Sequence, residues 1–124
     1  DVAEAVKELE TRVSKQGFKG AMINGHTRGE VMDAKKYWPI FETAQSLEVP
    51  IYIHPTFPPE AVMKAYFEGY EELARAPWGF SIDTGLHFLR LLYAGVFDQR
   101  PVFGVCASRY FCRVSSSPPR GIAR

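Results

Sequence analysis

Three histidines carry most of the chemistry that this chain of 124 residues could perform. His54 closes the run Val49-Pro50-Ile51-Tyr52-Ile53, and Pro55 follows it. An imidazole at the end of such an apolar run projects from the mouth of a sheet, where its neutral form can ligate a first-row metal. Asn24 and His26 stand in the corresponding place after an earlier apolar run, within Asn24-Gly25-His26-Thr27-Arg28-Gly29. A carboxamide there can hydrogen-bond a substrate carboxylate or phenol. On spacing alone a structural role for His54 and a solvated one for His26 stay open beside these. His87 differs, because Asp83 precedes it by one helical turn, and an i,i+4 pair of this kind is better read as structural than as catalytic.

A catalytic zinc takes three protein ligands and keeps a position open. The chain has no Glu-x-His pair, no His-x-x-Glu-His and no clustered Cys/His set. Nucleophile elbows, phosphate loops and dinucleotide fingerprints are absent as well. Cys106 and Cys112 match no zinc-ribbon or redox spacing and read as ordinary thiols in a reducing compartment. Chemistry at His54 therefore needs residues that this sequence does not supply.

The elements that position these side chains follow from hydrophobic spacing. Val2, Val6, Leu9 and Val13 recur at helical intervals over 2–16, and Gly17 is a natural stop. A strand over 18–23 then delivers Asn24 and His26 to its C-terminal end. Asp33 is the candidate N-cap of a helix with Tyr37, Phe41, Ala44 and Leu47 on one face and Pro39 in its first turns. A nearly all-apolar strand over 49–53, as expected of a parallel strand covered on both sides, delivers His54. A helix is predicted from about Glu60 to Ala74, with Pro77 as a break. A second follows over about 82–97, with Leu86, Leu89, Tyr93 and Val96 as its inward stripe. A third strand is predicted over 102–106. The order α-β-α-β-α-α-β predicts an α/β fold with a parallel sheet and crossover helices.

The formal charge of +1 conceals an asymmetry, since all 14 acidic residues precede Arg109 while four of the 15 basic ones lie from Arg109 onward. The body is net acidic, which argues against a nucleic-acid partner. No apolar stretch is long enough to span a bilayer and no signal peptide is legible, so a soluble cytoplasmic protein is expected. Past Ala107 the composition shifts to Ser, Arg, Pro and Gly. The expected division is therefore a domain over 1–106 and a divergent tail over 107–124, with about the last 12 residues disordered.

Four ordered blocks carry a family resemblance: Gly17 to Thr27, Tyr37 to Glu42, Val49 to Pro55, and Gly95 to Asp98 with its following Arg-Pro. Over roughly residues 1–103 the chain resembles the amidohydrolase-related family of the amidohydrolase superfamily. It is most similar there to 2,3-dihydroxybenzoate and γ-resorcylate decarboxylases, relatives of aminocarboxymuconate semialdehyde decarboxylase. The resemblance implies part of a (β/α)₈ TIM barrel with one divalent metal, zinc or manganese, at its C-terminal mouth. It implies that His54 is a metal ligand and that Asn24, His26 and Phe57 line the substrate side. The implied activity is non-oxidative decarboxylation of a small aromatic or related carboxylic acid. In that reaction the metal binds the carboxylate and a neighbouring phenol oxygen, an acidic group protonates the ring carbon, and CO₂ leaves. Homo-oligomers are common in such a family.

The departures from the family matter equally. A whole barrel takes about 250 residues, and this chain supplies about three of the eight strands. The family's N-terminal metal pair, its late Asp and its Gly-His-Met-Gly-Glu type segment have no counterpart. Where that last segment belongs, the chain reads Gly104-Val105-Cys106-Ala107-Ser108-Arg109, a departure of the form that a reading-frame change or retained intron produces. The chain is thus expected to be an inactive fragment of a carboxy-lyase. A metal-dependent hydrolase of the same superfamily and a truncated, non-catalytic module that binds a partner are the alternatives.

Overall fold

The computed structural model describes residues 1–98, 104–107 and 111–114. Helix α1 (Val2–Gln16) is capped by the Asp1 carboxylate, which accepts the Ala3 N–H at 2.8 Å. It ends at Gly17, whose left-handed φ of 73° lets the N–H groups of Gly17 and Phe18 close on the Val13 and Arg12 carbonyls. Its predicted stripe lies on the core, with Leu9 buried and Val2, Val6 and Val13 packed beside it. A single 3₁₀ turn (Lys35–Tyr37) leads into α2 (Trp38–Ser46), with Pro39 in the first turn. Asp33 does not cap this helix; its carboxylate instead takes the Arg90 guanidinium at 2.9 Å. That ion pair joins the loop before α2 to the distant helix that carries Arg90.

Strands β1 (Ala21–Asn24), β2 (Ile51–His54) and β3 (Gly104–Ala107) are parallel neighbours in that order. The α/β class and the parallel pairing are those read from the sequence. The strands start later than predicted: before β2, Glu48 adopts a φ of 55° and the Val49 N–H returns to the Ala44 carbonyl of α2. Ladder pairing begins only at Ile51. Beyond β3 an unforeseen strand, β4 (Phe111–Val114), pairs antiparallel with it, placing Cys106 opposite Cys112. This strand lies inside the segment read as tail; residues 115–124, the rest of the expected disorder, lie outside the described residues.

Between β2 and β3 the predicted long helix divides. Helix α3 (Glu60–Phe67) stops at the left-handed Gly69, and Glu71–Ala74 forms a 3₁₀ turn. Helix α4 (Gly79–Tyr93) begins one turn earlier than expected. Its inward stripe also differs from the prediction. Thr84, His87, Phe88 and Leu91 face the core, whereas Leu86, Leu89 and Tyr93 are exposed at 56%, 48% and 85%. Val96 is buried, but it lies beyond the helix end. Both stripes repeat at helical spacing, and the buried one contains a threonine and a histidine, of which the threonine hydroxyl is satisfied within the helix. The Thr84 hydroxyl donates to the Phe80 carbonyl at 2.6 Å. The core between helices and sheet is built on Phe41, Ala44, Ile51, Ile53, Phe88, Leu91 and Val96.

Candidate functional site

Parallel pairing sets Asn24 directly opposite His54 at the C-terminal ends of β1 and β2. Strand alternation divides the two faces. Ile51 and Ile53 are buried against the helices, while Met22, Asn24, Tyr52 and His54 belong to the opposite, uncovered face. The sheet thus presents a carboxamide and an imidazole side by side.

The His54 ring is oriented by its own chain. A carbonyl can only accept, so the 2.8 Å contact between Nδ1 and the Pro55 carbonyl places the proton on Nδ1. The neutral ring then offers the Nε2 lone pair outward. Anchoring one imidazole nitrogen on a backbone carbonyl is how ligand histidines are commonly fixed.

The two strand-end loops are stitched together around this pair. The Gly25 N–H donates to the His54 carbonyl at 2.7 Å. Gly25 is buried, and a Cβ there would press on the Thr56 side chain and lie 3.0 Å from Asp83 Oδ2. Only glycine allows so close an approach. Asp83 Oδ2 in turn accepts the Thr56 N–H at 2.9 Å. His26 forms a second stitch. Its Nδ1 accepts the Gly29 N–H at 3.1 Å, so Nε2 carries the proton and donates to the Phe57 carbonyl at 3.2 Å. The Phe57 ring stands edge-on to Phe80, with centroids 6.0 Å apart, and the Arg75 guanidinium lies 5.2 Å over it. Farther along the first loop, Glu30 accepts from Lys36 and from the Tyr37 hydroxyl, each at 2.6 Å. These bonds hold the Glu30 carboxyl below its ordinary range and raise Lys36 and Tyr37.

Asp83 and Gly25 are the positioning residues that sequence reasoning missed. Neither carries a local signal of this role, because their partners lie far away along the chain. The i,i+4 spacing of Asp83 and His87 suggested a contact, but neither His87 nitrogen is bonded to Asp83. His87 Nε2 accepts the Met32 N–H at 3.4 Å, and Nδ1 is buried without a hydrogen-bond partner. Burial is the main cause of its lowered pKa, opposed by the fields of Asp83 and Asp33.

This lowered pKa has a definite sign for stability. Below the ordinary histidine value of about 6.5 the unfolded chain binds a proton that the folded chain resists. The His87 contribution is therefore complete above that value and is lost as pH falls toward the folded-state pKa, by at most about 1.4 kcal/mol per pH unit. Thermal melting between pH 8 and pH 5 should show a steeper acid decline for the wild type than for His87→Gln. Equal slopes would remove His87 as the cause.

Among the described residues no three His, Cys, Asp or Glu side chains group so as to hold a metal ion. His54 Nε2 is the donor at the strand mouth that would ligate a divalent cation. No helix among the described residues is long and apolar enough to cross a membrane.

Comparison with known proteins agrees with the geometry. A family model described as amidohydrolase matches residues 1–103. The chain is 36% identical over 107 residues to a gamma-resorcylate decarboxylase of Polaromonas sp. (strain JS666), covering 82% of this chain and 32% of that protein. It is 38% identical over 106 residues to decarboxylase orsB of Emericella nidulans, with the same coverage. A dihydroxybenzoic acid decarboxylase from Polaromonas sp. JS666, solved with bound manganese and the inhibitor 2-nitroresorcinol, superposes with a TM-score of 0.78 at 37% identity. That match covers 85% of this chain and 33% of the solved one. The chain spans about a third of the length of these relatives. Strands β1 and β2 and their crossover helices lie within the matched residues, and the chain belongs to the amidohydrolase family.

Proposed function

We propose that this chain is a section of a metal-dependent, non-oxidative decarboxylase acting on a small aromatic carboxylic acid. The observation that carries the reading is the pair at the sheet mouth. His54 has Nδ1 tied to a backbone carbonyl and Nε2 without a hydrogen-bond partner among the described residues, and Asn24 stands beside it on the same sheet face. A divalent cation at this position supplies Lewis-acid charge that stabilises an anionic substrate. His54 contributes one ligand through Nε2. The Asn24 carboxamide donates to a carboxylate or phenol oxygen, and Phe57 offers an aromatic edge at the rim. His26 lines the same side while its ring braces the two loops. Gly25 and Asp83 keep the strand ends in register.

One ligand is fewer than the three that a catalytic metal takes. By itself the chain therefore releases no CO₂ from an aromatic acid; turnover needs donors from the rest of a barrel. The test is an NMR titration of the 124-residue chain with Mn²⁺, with and without γ-resorcylate. Paramagnetic broadening should begin at His54 and Asn24, and His54→Ala should abolish it there. Broadening centred elsewhere, or unchanged in His54→Ala, would sink the assignment.

A further inference from the structure

The chain holds two cysteines, and the sheet brings them to one place. Their spacing in sequence matches no redox motif; the antiparallel ladder makes them neighbours instead. Strands β3 and β4 pair with Gly104 opposite Val114, Val105 opposite Arg113, Cys106 opposite Cys112 and Ala107 opposite Phe111. Directly opposite positions of an antiparallel pair share one face of the sheet. Their Cα atoms stand about 4.5 or about 5.5 Å apart, according to whether the pair is hydrogen-bonded, and both values fall within the roughly 4.4–6.8 Å that a disulfide spans. A slip of one residue in β4 would instead set Cys106 opposite Phe111 or Arg113 and carry the two cysteines to opposite faces.

We infer that Cys106 and Cys112 are a redox modification site, at which a small-molecule disulfide such as oxidised glutathione closes a bond between the two strands. One cysteine thiolate attacks the glutathione disulfide, releasing one glutathione thiolate and leaving a mixed disulfide on the protein. The second cysteine thiolate attacks that protein sulfur and expels the other glutathione thiolate. Two protein thiols are oxidised by two electrons, the glutathione disulfide is reduced by the same two, and the thiol protons end on the two glutathiones released.

The ladder also sets how firmly the bond closes. Opposite positions keep their Cβ atoms about 4.5–5.5 Å apart, whereas a disulfide holds them at about 3.5–4.5 Å, so the strands must draw together. A bond closed under such strain is reduced more readily. The pair is therefore open in a reducing medium and closes as the glutathione pool oxidises. Closed, it staples β4 along the edge of β3.

Only six positions separate the cysteines, so a flexible chain could also join them, and register must be told apart from nearness in sequence. The 124-residue chain is equilibrated with mixtures of reduced and oxidised glutathione. Mass spectrometry should find a monomer lighter by two hydrogen atoms, and tryptic cleavage after Arg109 should leave the Cys106 and Cys112 peptides joined until a reductant is added. The effective concentration of the pair, read from the glutathione ratio at half-oxidation, should fall at least about 10-fold in unfolding urea, where only a flexible linker holds the thiols together. Moving one thiol by a single register position, with Phe111→Cys and Cys112→Ser together, should lower it by about 10-fold or more in the folded chain. If circular dichroism shows that this variant does not fold, the wild-type comparison in urea decides. Glutathione adducts or disulfide-linked dimers in place of the internal bond overturn the inference. So does an effective concentration that either urea or the register shift leaves unchanged.

Discussion

Replacing Phe41 with alanine should lower the unfolding free energy by about 3–5 kcal/mol, the range for truncating a buried phenylalanine. Phe41 on α2 is 0% exposed within the cluster that includes Ile40, Ala44, Ile51 and Ile53. It therefore sits where α2 meets the strand that delivers His54. A domain of this size holds about 5–15 kcal/mol in total, so the substitution removes a large part of the reserve. Urea unfolding followed by tryptophan fluorescence would read it as a lower midpoint with an unchanged slope. Phe57→Ala is the control, because Phe57 is half exposed and should cost far less. Equal losses for both would place the core elsewhere.

The second large effect is expected at Gly79. This residue is buried at the start of α4, and a Cβ would collide with the backbone carbonyl of Ala74, which has no flexible side chain to yield. Gly79→Ala should destabilise by about 2–3 kcal/mol, as overpacking does when backbone must move. Because α4 carries Asp83, the shift should reach the Thr56 amide that Asp83 holds. Faster hydrogen exchange at that amide is the expected signature. Gly85 is the internal control. It lies in the same helix, and a Cβ there meets nothing within 4 Å. Gly85→Ala should stabilise by about 0.5–1 kcal/mol through helix propensity alone. If the two alanine variants behave alike, the crowding at Gly79 is not real.

Helix α1 was legible because one stripe of apolar residues and one C-terminal glycine agreed. The parallel sheet was legible because nearly continuous apolar runs alternate with amphipathic segments. His54 and Asn24 stood out because a polar residue ending an apolar run marks a strand mouth. Helix α4 misled for a physical reason: it has two stripes, and periodicity does not say which of them meets a sheet. The stripe that is buried contains Thr84 and His87, polar residues whose partners are revealed only by folding. The stitching of the loops was hidden for a related reason. Gly25, Thr56 and Asp83 meet only because two strand ends and a helix converge, and no local spacing encodes that. The antiparallel β4 follows a break in apolar periodicity, so the pattern rule assigned its segment to a tail.

That last strand bears on how the chain could be joined to what it lacks. In a barrel of parallel strands, the edge of β3 is where the next parallel strand hydrogen-bonds. Here β4, antiparallel to β3, occupies that edge. A complementing piece added in trans could bond freely along β1, but at the other side it would compete with a strand already tethered to its neighbour. Such a tether acts at high effective concentration. Fragment complementation should therefore be easier for a version ending near Ala107 than for the chain as it stands.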